Sequence, residues 1–166
     1  AARRALDAPL DEDSAFAHVG EVRQTTHVTP RADWSLVLHR GQRPVAWSGT
    51  ARGPVAAPPA SMAISVDAFY LVLHATERRG DTVAVASLLV HADPPADNLT
   101  TALDEGILAD AGLRAFAFLP ADAPNGGARF APDGTPLLTV RAIPAEQGAV
   151  RVAVAERARV RGGVLA

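Results

Sequence analysis

No cysteine occurs among the 166 residues, which excludes disulfides, thiolate metal sites and cysteine nucleophiles. Lysine is absent too: all 16 basic residues are arginine, set against 18 acidic ones. The net charge of -2 lacks the basic excess that phosphate-backbone binding requires, so nucleic acid is not an expected partner. An arginine-only, alanine- and proline-rich chain is what a GC-rich bacterial genome produces without selection for phosphate binding. Aromatic residues make up 5% of the chain, with two tryptophans and one tyrosine, so the placing of each carries information. No apolar run reaches the roughly 18 residues that a transmembrane helix needs.

Catalytic signatures are missing as well. There is no Gly-x-Gly-x-x-Gly, no P-loop, no His-Glu-x-x-His and no Gly-x-Ser-x-Gly elbow. Ser48 lacks the first elbow glycine and lies in a strand-like run. The five histidines, His18, His27, His39, His74 and His91, include no pair spaced for ligation from one helix face. Asp104 and Glu105 are neighbours that point apart on a helix, which suits solvated surface better than a cooperating acid and base. Asp133-Gly134 has the form of a turn without the alternating oxygen ligands of a calcium loop. The chain therefore reads as non-enzymatic, with no cofactor and no metal.

What is present is enough for one domain over residues 1–166, long enough to bury roughly two-thirds of the surface of the unfolded chain. The chain opens on Ala1-Ala2-Arg3-Arg4 without an initiator methionine or a leading apolar segment, and reads as a domain cut from a longer protein. From Ala2 to about Gln24 the periodicity is helical, with Leu6, Leu10, Phe16, Val19 and Val22 on apolar stripes and Pro9 as a break. The acidic run Asp11-Glu12-Asp13 suits a helix N-terminus, where carboxylates face the positive end of the peptide dipoles. A broken or kinked N-terminal helix is expected.

Two apolar runs mirrored about Gly41-Gln42 predict a first hairpin with Leu38 opposite Val45, Leu36 opposite Trp47 and Trp34 opposite Gly49. One face then collects Trp34, Leu36, Leu38, Val45 and Trp47, and the other pairs Ser35 with Ser48 and Val37 with Ala46. Burying each tryptophan removes about 150–250 Å² from water, which accounts for both without a ligand. A proline-rich connection follows at residues 53–59. A second hairpin turns at Arg78-Arg79-Gly80-Asp81, with Phe69 opposite Val90, Leu71 opposite Leu88 and Leu73 opposite Ala86 on an apolar face. Its reverse face sets Tyr70 opposite Leu89, Val72 opposite Ser87 and His74 opposite Val85, with His91 near the end. An apolar floor carrying a few convergent polar groups suits a ligand pocket.

Asp93 to Asp97 breaks the pattern and marks a possible subdomain boundary. Asp97 or Asn98 caps a helix running to Gly112, with Leu99, Leu103, Ile107 and Leu108 on its apolar side. Four short strands are expected beyond it, at residues 113–119, 128–131, 136–143 and 149–156. The fold class is α+β: a central antiparallel sheet with an N-terminal helix and a second helix around residues 97–112.

A helix, a hairpin of the form LVLHRGQRPVAWSG (residues 36–49), a connection and a longer hairpin FYLVLHATERRGDTVAVASLL (residues 69–89) together resemble the extracytoplasmic PAS-like sensor domains, the Cache family, of bacterial membrane-bound histidine kinases and related receptors. The resemblance covers residues 1–92. Where that family often carries an Asp-x-x-Gly bend, this chain has His39-Arg40-Gly41, so the glycine alone matches. The resemblance implies a periplasmic or extracellular domain of an inner-membrane protein, non-catalytic itself, in a two-component system. It further implies a small-molecule pocket on one face of a PAS-like sheet, walled by the connection between the hairpins. Mapped onto this chain, the pocket residues are Tyr70, His74, Ser87 and His91, with Arg52 as a clamp for a carboxylate such as that of a small organic acid or amino acid. The ends join membrane segments outside the chain, with Arg157, Arg159 and Arg161 approaching one, and a homodimer forms through the N-terminal helix. The competing readings are a protein-interaction or structural module without a small-molecule pocket, and an enzyme with dispersed residues.

Overall fold

The computed structural model describes residues 1–9, 11–28, 32–50, 56–93, 101–124, 127–132 and 134–145. Arg52, the expected strand at 149–156 and the arginines at 157, 159 and 161 lie outside the described residues. The chain forms two compact units, Ala1–Gly106 and Ile107–Ala166. The division falls after Gly106; most of the expected bend between Asp93 and Asp97 lies outside the described residues. The fold is α+β, and among the described residues no helix is long and apolar enough to cross a membrane.

Pro9 separates two helices, α1 (Ala2–Ala5) and α2 (Glu12–Thr25). Asp11 caps α2: the Ser14 N–H donates to its Oδ1 at 2.8 Å, satisfying one of the orphan donors of the first turn. That bond holds the Asp11 carboxyl below its ordinary pKa. Ala15, Val19 and Val22 form the buried stripe of α2, whereas Phe16 remains 37% exposed.

A five-stranded antiparallel sheet follows, built from β1 (Trp34–Arg40), β2 (Arg43–Gly49), β3 (Met62–Val66), β4 (Tyr70–Arg79) and β5 (Thr82–Ala92), in the order β2-β1-β5-β4-β3. The two hairpins meet through β1 and β5. One face packs Leu36, Leu38, Ala46 and Ala84 against Ala2, Ala5, Leu6, Ala15, Val19 and Val22 of the helical segment. Leu36 and Leu38 are fully buried, each contributing about 1.5–3 kcal/mol of transfer free energy.

The first hairpin departs from the expected register. Arg40 faces Arg43 and His39 faces Pro44 across the two-residue loop, but Leu38 then faces Ala46 and leaves Val45 as an extra residue. Pro44 has no N–H to give the ladder, and an edge strand accommodates that loss with a bulge. Beyond it each pair is shifted by one: Leu36 faces Ser48, Val37 faces Trp47 and Ser35 faces Gly49. Trp47 consequently leaves the row of Leu36 and Leu38 and is 54% exposed, its ring meeting Phe16 edge-on with centroids 4.8 Å apart.

The second hairpin slips by two residues instead of one, because both strands continue to Arg79 and Thr82 and the loop shrinks to Gly80-Asp81. Gly80 supplies the positive φ, +61°, that such a tight loop requires. A two-residue slip preserves parity, so His74 faces Ser87 and Leu73 faces Leu88. β3 is a strand that the sequence reading passed over. It turns into β4 through Asp67, whose Oδ1 accepts from the N–H groups of Phe69 and Tyr70.

Gly49 ties the helix to the sheet. Its φ is +88°, and a Cβ there would stand 2.4 Å from the Trp34 carbonyl oxygen and 2.5 Å from Arg23 Nε. The Arg23 Nε–H donates to that same carbonyl at 3.2 Å, and its guanidinium lies 5.6 Å from the Trp34 ring centroid. Gly49→Ala is expected to destabilise the fold by about 1–3 kcal/mol, read from the urea midpoint. An unchanged midpoint would show that the Arg23 clasp is dispensable.

The expected caps Asp97 and Asn98 and the expected helical Leu99 lie outside the described residues. Thr101 and Ala102 are non-helical, and α3 runs from Leu103 to Ala111. Thr101 is held outside the helix by Asp33, exchanging a backbone bond with it (2.7 Å) and donating its N–H to Asp33 Oδ2 (3.2 Å). In the second unit β6 (Leu113–Leu119), β7 (Ala128–Phe130) and β8 (Leu138–Pro144) form an antiparallel sheet in the order β6-β8-β7. These three strands fall where the sequence places them.

Candidate functional site

The face of the five-stranded sheet turned away from α1 and α2 is polar at its centre. Strand pairing sets Gly49, Ser35, Ser87, His74 and Ala63 abreast, one from each strand. His74 is 3% exposed, yet both ring nitrogens have partners: Ser65 Oγ lies 2.8 Å from Nε2 and Ser87 Oγ 2.9 Å from Nδ1. A neutral imidazole presents one donor and one acceptor, and hydroxyls, which do either, complement both. Burial lowers the pKa of His74 and, two residues past Val37 on β1, that of His39.

Two further hydroxyls on this face are buried without a partner. Ser35 is 1% exposed and Thr76 4%, and neither Ser35 Oγ nor Thr76 Oγ1 makes a hydrogen bond. Buried polar groups are nearly always satisfied, so two orphans beside one histidine network stand out.

Of the residues expected to line a pocket, the structure brings together His74 and Ser87. His91 departs from their row. A bulge between Leu71 and Val72 makes Val90 the extra residue, so Leu71 faces His91 and Tyr70 faces Ala92. The His91 Nδ1–H instead donates to Asp104 Oδ2 at 2.5 Å, in the first turn of α3. The Asp104 side chain is 5% exposed and its Oδ1 is buried without a partner, which corrects the reading of this aspartate as solvated surface. Tyr70 packs at the margin of a small cluster of Val72, Leu89 and Ala102. Arg52 is among the residues not described. Among the described residues no three of His, Asp and Glu converge as metal ligands.

No family model, curated protein or solved structure matches the chain.

The opposite face of the same strands holds an open apolar cleft of about 190 Å³, lined by Trp34, Leu73, Ala75, Ala86 and Leu88 with Val28 beyond α2. Trp34 thus serves both as core and as cleft wall. The sequence reading missed Ser35, Ser65 and Thr76. Ser65 could have been found from the alternation Met62-Ala63-Ile64-Ser65-Val66 ending at Asp67, a strand followed by a turn residue. Ser35 and Thr76 had no local signal, since only the register shows that they share a face with His74.

Two buried histidines with depressed pKa values set a pH dependence. Above the ordinary value of 6.5 both folded and unfolded chains hold them neutral, and they contribute no slope. As pH falls below 6.5 the unfolded chain takes up protons that the folded one refuses, so stability is lost progressively until the folded pKa values are passed. Thermal midpoints are expected to stay level above that pH and to fall below it, with a shallower fall in His74→Gln. An equal slope in wild type and variant would contradict the burial of His74 as its cause.

Proposed function

We propose that this chain is the ligand-sensing domain of a bacterial signal-transduction receptor, a PAS-like extracytoplasmic module of the Cache kind. In this reading it is non-catalytic, binds a small molecule on one face of its sheet and passes a conformational signal to a cytoplasmic kinase. One observation carries the proposal: a five-stranded sheet of two joined hairpins presents an apolar face to the helices and, opposite, a buried polar row centred on His74 and Ser87. The helix-side cleft is a weaker candidate, because its roughly 190 Å³ falls below the 300–1,000 Å³ usual for ligand pockets.

In mechanism, a ligand on the polar face contacts β1, β4 and β5 while α2 rests on the other side of β1 and β2. Binding biases the arrangement of the sheet relative to α2 by no more than the ligand's differential affinity for the two states. Dimerisation through the N-terminal helix carries the signal onward. The exposed Phe16–Trp47 pair, at the margin of α2 and β2, favours a second reading in which this edge is a protein-interaction surface and no ligand is bound.

The test is topological and functional. Fusing alkaline phosphatase in frame after Ala166 within the parent protein should give an exported, active reporter. His74→Gln in that parent should alter the kinase's response to stimulus without abolishing its basal autophosphorylation. An inactive reporter places the domain in the cytoplasm and ends the proposal.

A further inference from the structure

The two edges of the five-stranded sheet are built differently. β2, at one edge, starts on a charged residue, Arg43, withholds an N–H at Pro44 and bulges at Val45. These are devices that keep an edge strand from pairing with another chain. β3, at the other edge, reads Met62-Ala63-Ile64-Ser65-Val66, with no proline, no charge and an unbroken register against β4. Among the described residues no strand lies on its outer side. Val66 is 72% exposed, and Met62 and Ile64 are half-buried.

Two hydrogen bonds show which backbone groups that edge leaves open. The Ser61 carbonyl accepts from the Thr76 N–H at 2.7 Å, and the Asp67 N–H donates to the Tyr70 carbonyl at 3.0 Å. Odd-numbered residues thus turn their backbone groups toward β4, and Met62, Ile64 and Val66 turn theirs outward. We propose that this edge pairs with the same edge of a second copy of the chain, antiparallel about a two-fold axis at Ile64. Ile64 then faces itself, Met62 faces Val66 and Ala63 faces Ser65. The outward N–H and C=O groups of Met62, Ile64 and Val66 in each copy meet those of the other, closing a ladder across the seam.

Side chains and charge favour the same register. Met62, Ile64 and Val66 stand on one face of the strand, so apolar groups meet apolar groups across the seam. Ile64 ends an apolar row that runs Trp34-Leu88-Leu73-Ile64 over four strands, and the axis continues that row through the second copy. Opposite charges flank β3: Asp67 follows it, and Arg78, which donates to the Pro58 carbonyl, lies before it. Antiparallel pairing sets each Asp67 opposite Ser61 of the second copy, about 10 Å along the chain from Pro58 and near one Debye length, so each end joins unlike charges. Parallel pairing would set Asp67 beside Asp67. An axis at Met62 would bring Pro58, which has no N–H, opposite Val66, and an axis at Val66 would run Ile64 against the turn after Asp67.

The seam goes beyond the sensor reading and does not rest on it. β3 is the strand farthest from β2, and α2 packs on β1 and β2, so a contact through the N-terminal helix leaves the seam free.

The chain has no cysteine, so a single introduced one reports a single contact. In the proposed register the two copies of residue 64 have Cα atoms about 5.5 Å apart, within disulfide reach, whereas the two copies of residue 62 lie roughly 14 Å apart. On mild oxidation of the full chain, Ile64→Cys should be trapped as a dimer several times faster than Met62→Cys. In sedimentation the wild-type mass should rise toward that of a dimer only as the concentration approaches millimolar, because a short seam belongs with weak, transient interfaces. Ile64→Arg sets like charges face to face and should hold the chain monomeric throughout, with its thermal midpoint unchanged. Equal trapping of the two cysteines, or a wild-type chain that stays monomeric to millimolar concentration, overturns the proposal. Trapping through Ala17→Cys, on the exposed side of α2, with none through Ile64→Cys assigns the dimer to the helix and overturns it as well. Failure of the sensor reading is separate: it appears as an inactive phosphatase fusion, whatever the cysteines do.

Discussion

His91→Ala is expected to cost about 3 kcal/mol of folding stability, read as a lowered urea midpoint at constant slope. The reason lies in its partner. Asp104 is 4% exposed, its Oδ1 is already unpartnered, and its Oδ2 accepts from the His91 ring at 2.5 Å. Without the ring, neither carboxylate oxygen keeps a partner among the described residues. Removing one member of a buried pair costs about 3–5 kcal/mol, and the lower end applies because the His91 side chain is 38% exposed and part of the pair stays hydrated. Replacing both residues by leucine removes the stranded charge along with the bond and should recover most of the loss. A single variant as stable as wild type would mean that Asp104 finds water or another donor.

How much of this was legible follows from what local chemistry decides. Both hairpins could be read from their alternation and their glycine loops. Parity on β4 and β5 survived a slip of two residues, and so His74 and Ser87 were found as a pair. Parity failed at two points where a bulge inserts one residue, Val45 and Val90. The first bulge had a visible cause in Pro44, a residue that cannot complete a ladder. The second had none, and it carried His91 out of the row of Tyr70 and His74. The non-helical course of Thr101 and Ala102 was likewise hidden, because the tie between Thr101 and Asp33 joins residues 68 positions apart.

The two faces of the sheet also differ in how they are encoded. The helix side is a pattern of leucine and alanine at alternate positions, which any hydrophobicity count recovers. On the polar side Ser35, Ser65, Thr76 and Ser87 look like ordinary strand residues with a solvent-facing hydroxyl. They form a set only once four strands are laid side by side. Sites assembled across a sheet are poorly visible in sequence for this reason, since each strand contributes one residue and no spacing links them.

Leu38→Ala and Trp47→Ala distinguish the expected register from the observed one. Were Leu38 paired with Val45, Trp47 would share its packed face, and truncating the tryptophan would be the costlier change, since it removes more apolar area. In the structure Leu38 has no exposed surface, and it sits among Val19, Val22, Ala46 and Ala84 beneath the helices, whereas Trp47 is 54% exposed. Leu38→Ala leaves a cavity in contact with both a helix and two strands, neither of which closes on it without giving up backbone bonds. A loss of about 2–5 kcal/mol is expected. Trp47→Ala forfeits its edge-on contact with Phe16 and some half-buried area, about 0.5–1.5 kcal/mol. Urea midpoints of the two variants therefore rank in the order opposite to side-chain size. If Trp47→Ala proved the more damaging, the bulge at Pro44 would be wrong. Ser35 would then face Ser48 in place of Gly49.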